Sequence, residues 1–150
     1  VTFTSTVNQG GFARVAGTDF TTASLTLVDI TGLTFATAAS GVYAFRAMLS
    51  ANGADANGLK VGVQHSGSGA AVEAVASGSL LATSAQAARI SALNTLTVAF
   101  ATSATDGGIV VEGILTVGAN AGNLTIQLAK VTSGTATVRI NSFLDVKRIA

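Results

Sequence analysis

Apolar and polar positions alternate with a period of two along most of the chain, the pattern of strands with one buried face. It is clearest at 25–30 (LTLVDI), 42–50 (VYAFRAMLS), 59–65 (LKVGVQH), 94–101 (NTLTVAFA), 109–117 (IVVEGILTV), 124–130 (LTIQLAK) and 136–148 (ATVRINSFLDVKR). Weaker alternation runs through 2–7, 12–16, 33–37 and 71–76. Turn clusters separate these runs: SANGADANG, SGSG, TSATDGG, GANAGN and TSGT. About ten short strands divided by Gly/Asn/Ser turns predict an all-β, antiparallel sandwich or jelly roll.

The segment EGILTVGANAGNLTIQLAK predicts a hairpin. Leu115 and Val117 lead into its loop, and Leu124, Ile126 and Leu128 lead out on one face, with Thr125 and Gln127 on the other. A one-residue slip would turn Thr125 and Gln127 into the core, so the register is strongly specified. LATSAQAARISAL (81–93) is the one stretch that gathers helix-forming Ala, Gln and Arg, and it predicts one or two helical turns in a connection. The domain reading is an N-terminal arm or outer strands over 1–24 and a sandwich over 25–150. Phe3, Phe12 and Phe20 punctuate the polar arm. Leaving each in water costs roughly 1.5–3 kcal/mol, so they need a partner surface in this subunit or the next.

Composition sharpens this picture. The 150 residues suit one domain, and 49% are apolar, but aromatics are 5% and charged residues only 10%. An ordinary soluble domain carries roughly 25% charge. Such sparse charge fits a chain that hides surface against copies of itself or a larger assembly. A net charge of +1 gives no basis for binding nucleic acid through phosphate neutralisation. No apolar run reaches the roughly 18 residues of a spanning helix, and the start, VTFTSTVNQGG, lacks a signal peptide's basic and apolar regions. Val1 is compatible with removal of an initiator Met from a small complete protein; a domain of a longer chain looks the same.

The bulk of this small-residue core is expected from Tyr43 and Phe45, which share a face of the strand that follows Gly41. Phe35, five intervening residues, Gly41, Tyr43 and Phe45 form the spacing F-x5-G-x-Y-x-F. It resembles the core signature of the jelly roll of complement globular heads and the tumour-necrosis-factor superfamily. Val28 and Ala23 stand where that family has an aromatic or Leu and an Asn or Asp. The closing INSFLDVKRI resembles the family's last strand, which returns to the middle of a sheet. TDFTTASL, ITGLTF, GVYAF, EGILTVGANAGNLTIQLAK and FLDVKRI together resemble a group of small bacteriophage virion modules. That resemblance implies a trimer-forming jelly roll. Its core and trimer packing would draw on Phe35, Tyr43, Phe45, Leu115, Val117, Leu124, Ile126 and Leu128.

Catalytic chemistry finds little support. His65 is the single histidine, flanked by Gln64 and Ser66, and reads as a surface residue at a strand end. The seven acids are spread singly, without the paired carboxylates of glycoside hydrolysis. One His and no Cys cannot make the usual zinc set. NGADANG (52–58) is faintly similar to a calcium loop but lacks the terminal Glu and flanking helices, and reads as an ordinary turn. SGSGAA lacks the Lys and helix of a phosphate loop. Asp145, Lys147 and Arg148 read as a solvated strand end. Arg46 and Glu112 lie in apolar strands and are expected to pair, across a subunit interface.

The expectation is therefore a non-enzyme without cofactor or metal. It is a homotrimeric bacteriophage decoration (cement) protein on the virion capsid surface, with the major capsid protein as partner and no nucleic acid or membrane. The alternative is a tail or head fibre domain, with tail or fibre proteins and a host receptor as partners.

Overall fold

The computed structural model describes residues 10–53, 58–81, 84–95, 98–100 and 106–150. These contain no helix and form two antiparallel sheets. The eight-stranded sheet has the order β1 (Gly10–Arg14), β12 (Phe143–Arg148), β4 (Val42–Gly53), β9 (Gly107–Thr116), β6 (Ala71–Leu81), β7 (Ser84–Ile90). β11 (Ala136–Val138) pairs the end of β4 and carries β2 (Phe20–Thr22) on its other side. The four-stranded sheet has the order β3 (Val28–Thr37), β10 (Gly122–Lys130), β5 (Leu59–His65), β8 (Val98–Phe100).

The two sheets enclose one core, a β-sandwich. β4 shows why this sequence folds so. Tyr43, Phe45, Ala47, Leu49 and Ala51 are buried, while Ala44, Arg46, Met48 and Ser50 alternate outward. Ile109, Val111 and Leu115 of β9 join them from the same sheet. Leu59, Val61 and Val63 of β5 and Leu124, Ile126 and Leu128 of β10 come from the other. Full burial of each large apolar side chain contributes about 1.5–3 kcal/mol. Tyr43 is fully buried, and Phe35 meets it edge-on with ring centroids 6.3 Å apart.

Several connections differ from the pattern-based reading. β9 and β10 are not a hairpin: β9 pairs β4 and β6, whereas β10 pairs β3 and β5. The GANAGN segment turns the chain from one sheet to the other, so Leu115 and Leu124 belong to opposite walls of the core. The hairpin of consecutive strands is instead β6–β7. It uses 84–90, part of the stretch expected to be helical, as a strand at the sheet's edge. Pairing with β6 overrides the local preference of Ala, Gln and Arg. The run 136–148 is split by a turn with Asn141 at φ 69°, and β11 and β12 follow one another along the same edge of β4.

β10 is buried on both faces, not one. Thr125, Gln127 and Ala129 face away from the core yet are 4%, 3% and 0% exposed. The segment before β3 covers them: Leu27 rests on Gly62, and the Lys130 amide donates to the Ser24 carbonyl at 2.9 Å.

Candidate interaction surface

The outer face of the eight-stranded sheet is the most distinctive surface among the described residues. Register places its outward side chains in rows. Phe12, Asp145, Arg46, Glu112, Val75 and Arg89 are successive cross-strand neighbours from β1 to β7. Arg14, Phe143, Met48, Val110 and Ser77 form the next row. Lys147, Ala44, Ile114 and Glu73 form the row on the other side.

The face mixes apolar side chains with paired charges. Phe12 is 62% exposed and stacks on Phe143, with centroids 5.3 Å apart and planes at 28°. Met48, Val75 and Ile114 are also exposed. Arg46 Nε lies 3.7 Å from Glu112 Oε2, both side chains being more than half exposed. Arg89 makes a two-pronged contact with Glu73, at 3.0 and 2.9 Å through separate nitrogens. Shallow grooves of about 440 Å³ beside Met48, Ile140 and Phe143, and about 370 Å³ beside Val75 and Glu112, mark the relief.

At one end of the face Arg139 ties three segments together. Its Nη1 donates to Asp19 at 2.7 Å and its Nε to Asp106 at 2.9 Å; Asn52 also donates to Asp106, at 2.7 Å. The Ile140 amide donates to Asp19 at 2.9 Å. The bond from Arg139, then that amide, hold the Asp19 carboxyl below its usual value. The bonds to Asp19 and Asp106 hold the guanidinium above its own. This network braces the loops around the groove, with one guanidinium shared between two carboxylates.

Of the residues singled out from sequence, Tyr43, Phe45, Leu115, Val117, Leu124, Ile126 and Leu128 are buried in the core, and Phe35 is half-buried against it. Arg46 and Glu112 pair within one chain, as direct neighbours on β4 and β9. Phe20 is half-buried against the core, Phe12 lies on the outer face, and Phe3 is outside the described residues, as are Asp55 and Asn57 of the faint calcium loop. His65 is not at the surface. It is 7% exposed, with Nε2 2.8 Å from Thr37 Oγ1 and the Gly67 amide 3.1 Å from Nδ1.

Among the described residues no three His, Asp or Glu side chains gather as metal ligands. Sequence reasoning missed Met48, Phe143, Val75 and Ile114 as surface residues. The available signal was their place on the polar side of otherwise alternating strands. Asp19, Asp106 and Arg139 gave no such signal, being far apart in the chain. No protein-family model matches this chain, and a comparison with curated proteins finds no match either.

Proposed function

We propose that this protein is a non-catalytic structural component of a bacteriophage virion: a trimeric jelly roll that decorates the capsid and strengthens it by bridging capsid subunits. The observation that carries the reading is the outer face of the eight-stranded sheet. Phe12, Met48, Val75 and Ile114 are left in water there, between ion pairs that already neutralise one another. Exposed apolar surface rimmed by polar groups is typical of contact surfaces between chains. Sparse charge elsewhere favours the same reading.

The strand orders β1-β12-β4-β9 and β3-β10-β5-β8 support the jelly-roll class, because the chain crosses between sheets at eight of the eleven connections between the described strands. Decoration is favoured over receptor binding by a fibre domain. Sugar-binding surfaces favour exposed Trp or Tyr, whose rings carry a polar handle; this chain has no Trp, its one Tyr is fully buried, and the aromatic pair on the outer face, Phe12 and Phe143, has no polar group.

The test has two stages. Light scattering on the purified chain should give three times 14.8 kDa; a monomer at all concentrations removes the trimer. Quantitative mass spectrometry of virions should then give a simple ratio to the major capsid protein. A few copies per particle would favour the fibre reading, and none would end the virion assignment.

A further inference from the structure

The two ends of the outer face of the eight-stranded sheet match one another. At one end lies the groove of about 440 Å³ beside Met48, Ile140 and Phe143. Its floor is open at Gly108, where an added Cβ would meet nothing within 4 Å. Asp106 is the charged residue of the lining, and the Arg139 guanidinium that faces it is shared with Asp19. Arg14, across Phe143 on β1, donates to Asn141 Oδ1 at 3.3 Å and takes no part in the lining. An apolar groove with a carboxylate at its edge suits an apolar side chain accompanied by a cation.

The other end of the face presents that pair. Lys147 points outward from β12, opposite Ala44, and has no ion-pair partner among the described residues. The register runs on past β12. The Ile149 amide donates to the Val42 carbonyl at 2.8 Å, and the Val42 amide donates to the Ala150 carbonyl at 2.9 Å. Ile149 is exposed and lies on the same side of the sheet as Lys147, about 7 Å further along.

These two ends cannot meet within one chain. Ile149 continues the register to Val42, and Val42 pairs with Thr116. Gly108 stands near the opposite end of β9, roughly 26 Å from Thr116 along the strand.

We propose that the Lys147–Ile149 end of one copy of this chain docks into the Gly108 groove of a second copy. Ile149 enters between Met48, Ile140 and Phe143, and Lys147 turns toward Asp106. This inference rests on the reading of the face as a contact between chains, and it names the occupant. Docking takes Ile149, Ile140 and Met48, all exposed in the single chain, out of water together. It also brings the unpaired Lys147 ammonium to the end where two carboxylates share one guanidinium, the charge complementarity that fixes register between partners. Two different surfaces meet, as in the head-to-tail contacts that close into rings such as a trimer.

The chain has no cysteine, so paired substitutions read the contact directly. Gly108→Cys combined with Ile149→Cys, oxidised in dilute solution, should give disulfide-linked trimers on a non-reducing gel, and neither single variant should. A disulfide needs Cα atoms within about 7 Å, so this one cannot form inside a single chain. Gly108→Leu, which fills the exposed floor, should weaken self-association by about tenfold in light scattering while the chain stays folded. The proposal is overturned if the double variant gives no more interchain product than the single ones, or if a folded Gly108→Leu associates as the wild type does. A wild-type trimer without the crosslink removes this contact and leaves the trimer standing, whereas a wild-type monomer removes both. Crosslinked dimers with nothing larger keep the contact and remove the trimer. The cysteine experiment decides the question even if Gly108→Leu does not fold.

Discussion

The Tyr43 hydroxyl accepts a hydrogen bond from the Ala38 amide at 2.8 Å, across the turn that Gly41 closes. The ring lies against Gly41, where an added Cβ would meet Tyr43 Cε2 at 2.7 Å and Cζ at 3.1 Å. The glycine and the tyrosine two residues on are thus one device: the missing side chain makes room for the ring.

Gly41→Ala should destabilise the fold by about 1–3 kcal/mol through overpacking. Tyr43→Phe should cost about 1–2 kcal/mol by leaving the Ala38 amide without its acceptor. Displacing the ring also disturbs that bond, so the double variant should fall short of the sum. Urea denaturation of the four proteins checks this; full additivity would separate the two effects.

Glu112→Ala tests the proposed contact face. Its ion pair with Arg46 is more than half exposed, and such pairs contribute about 0–1 kcal/mol within a chain. Chain stability should barely change, while self-association weakens measurably. Met48→Lys, which puts a charge on the same face, should weaken it further. Unchanged trimer mass and melting in both variants would place the contact elsewhere.

Acid should act on the brace formed by Asp19 and Arg139. The Asp19 carboxyl is held below its ordinary value of 3.8 in the folded state. Folded protein therefore binds this proton less readily than unfolded protein, and stability rises with pH across the interval between the two values. The contribution is complete above the unfolded value and disappears as pH falls through the folded one. Asp19→Asn should flatten the melting temperature between about pH 5 and pH 2 relative to wild type. Parallel profiles for the two proteins would show that other carboxylates govern the acid limb.

The His65 ring should carry its proton on Nε2. In that tautomer the Gly67 amide donates to Nδ1, Nε2 donates to Thr37 Oγ1, and Thr37 donates to the Gly122 carbonyl, making three bonds. The other tautomer makes two, through the Gly67 carbonyl and Thr37. Long-range ¹H–¹⁵N NMR reads the tautomer directly at neutral pH. Thr37→Val should remove the partner of Nε2 and cost about 1–3 kcal/mol.

Local pattern was enough for much of the architecture. The alternation in β4 set Tyr43 and Phe45 on one shared side, and that side is buried. Strand existence is legible because a sheet with one buried face imposes its period on the sequence. The surface was less legible: Met48 and Phe143 become neighbours only through the pairing of β4 with β12.

By itself, then, the sequence determined an all-β chain and most of its strands, since these follow from period and turn chemistry over short spans. The tertiary structure alone decided the partners. It separated β9 from β10, drew 84–90 into an edge strand, covered the second face of β10 and buried His65. It also brought Asp29 to Gln127, and Arg139 to Asp19 and Asp106. Each of these depends on which strand lies beside or above another, a contact between distant segments that no local alternation encodes.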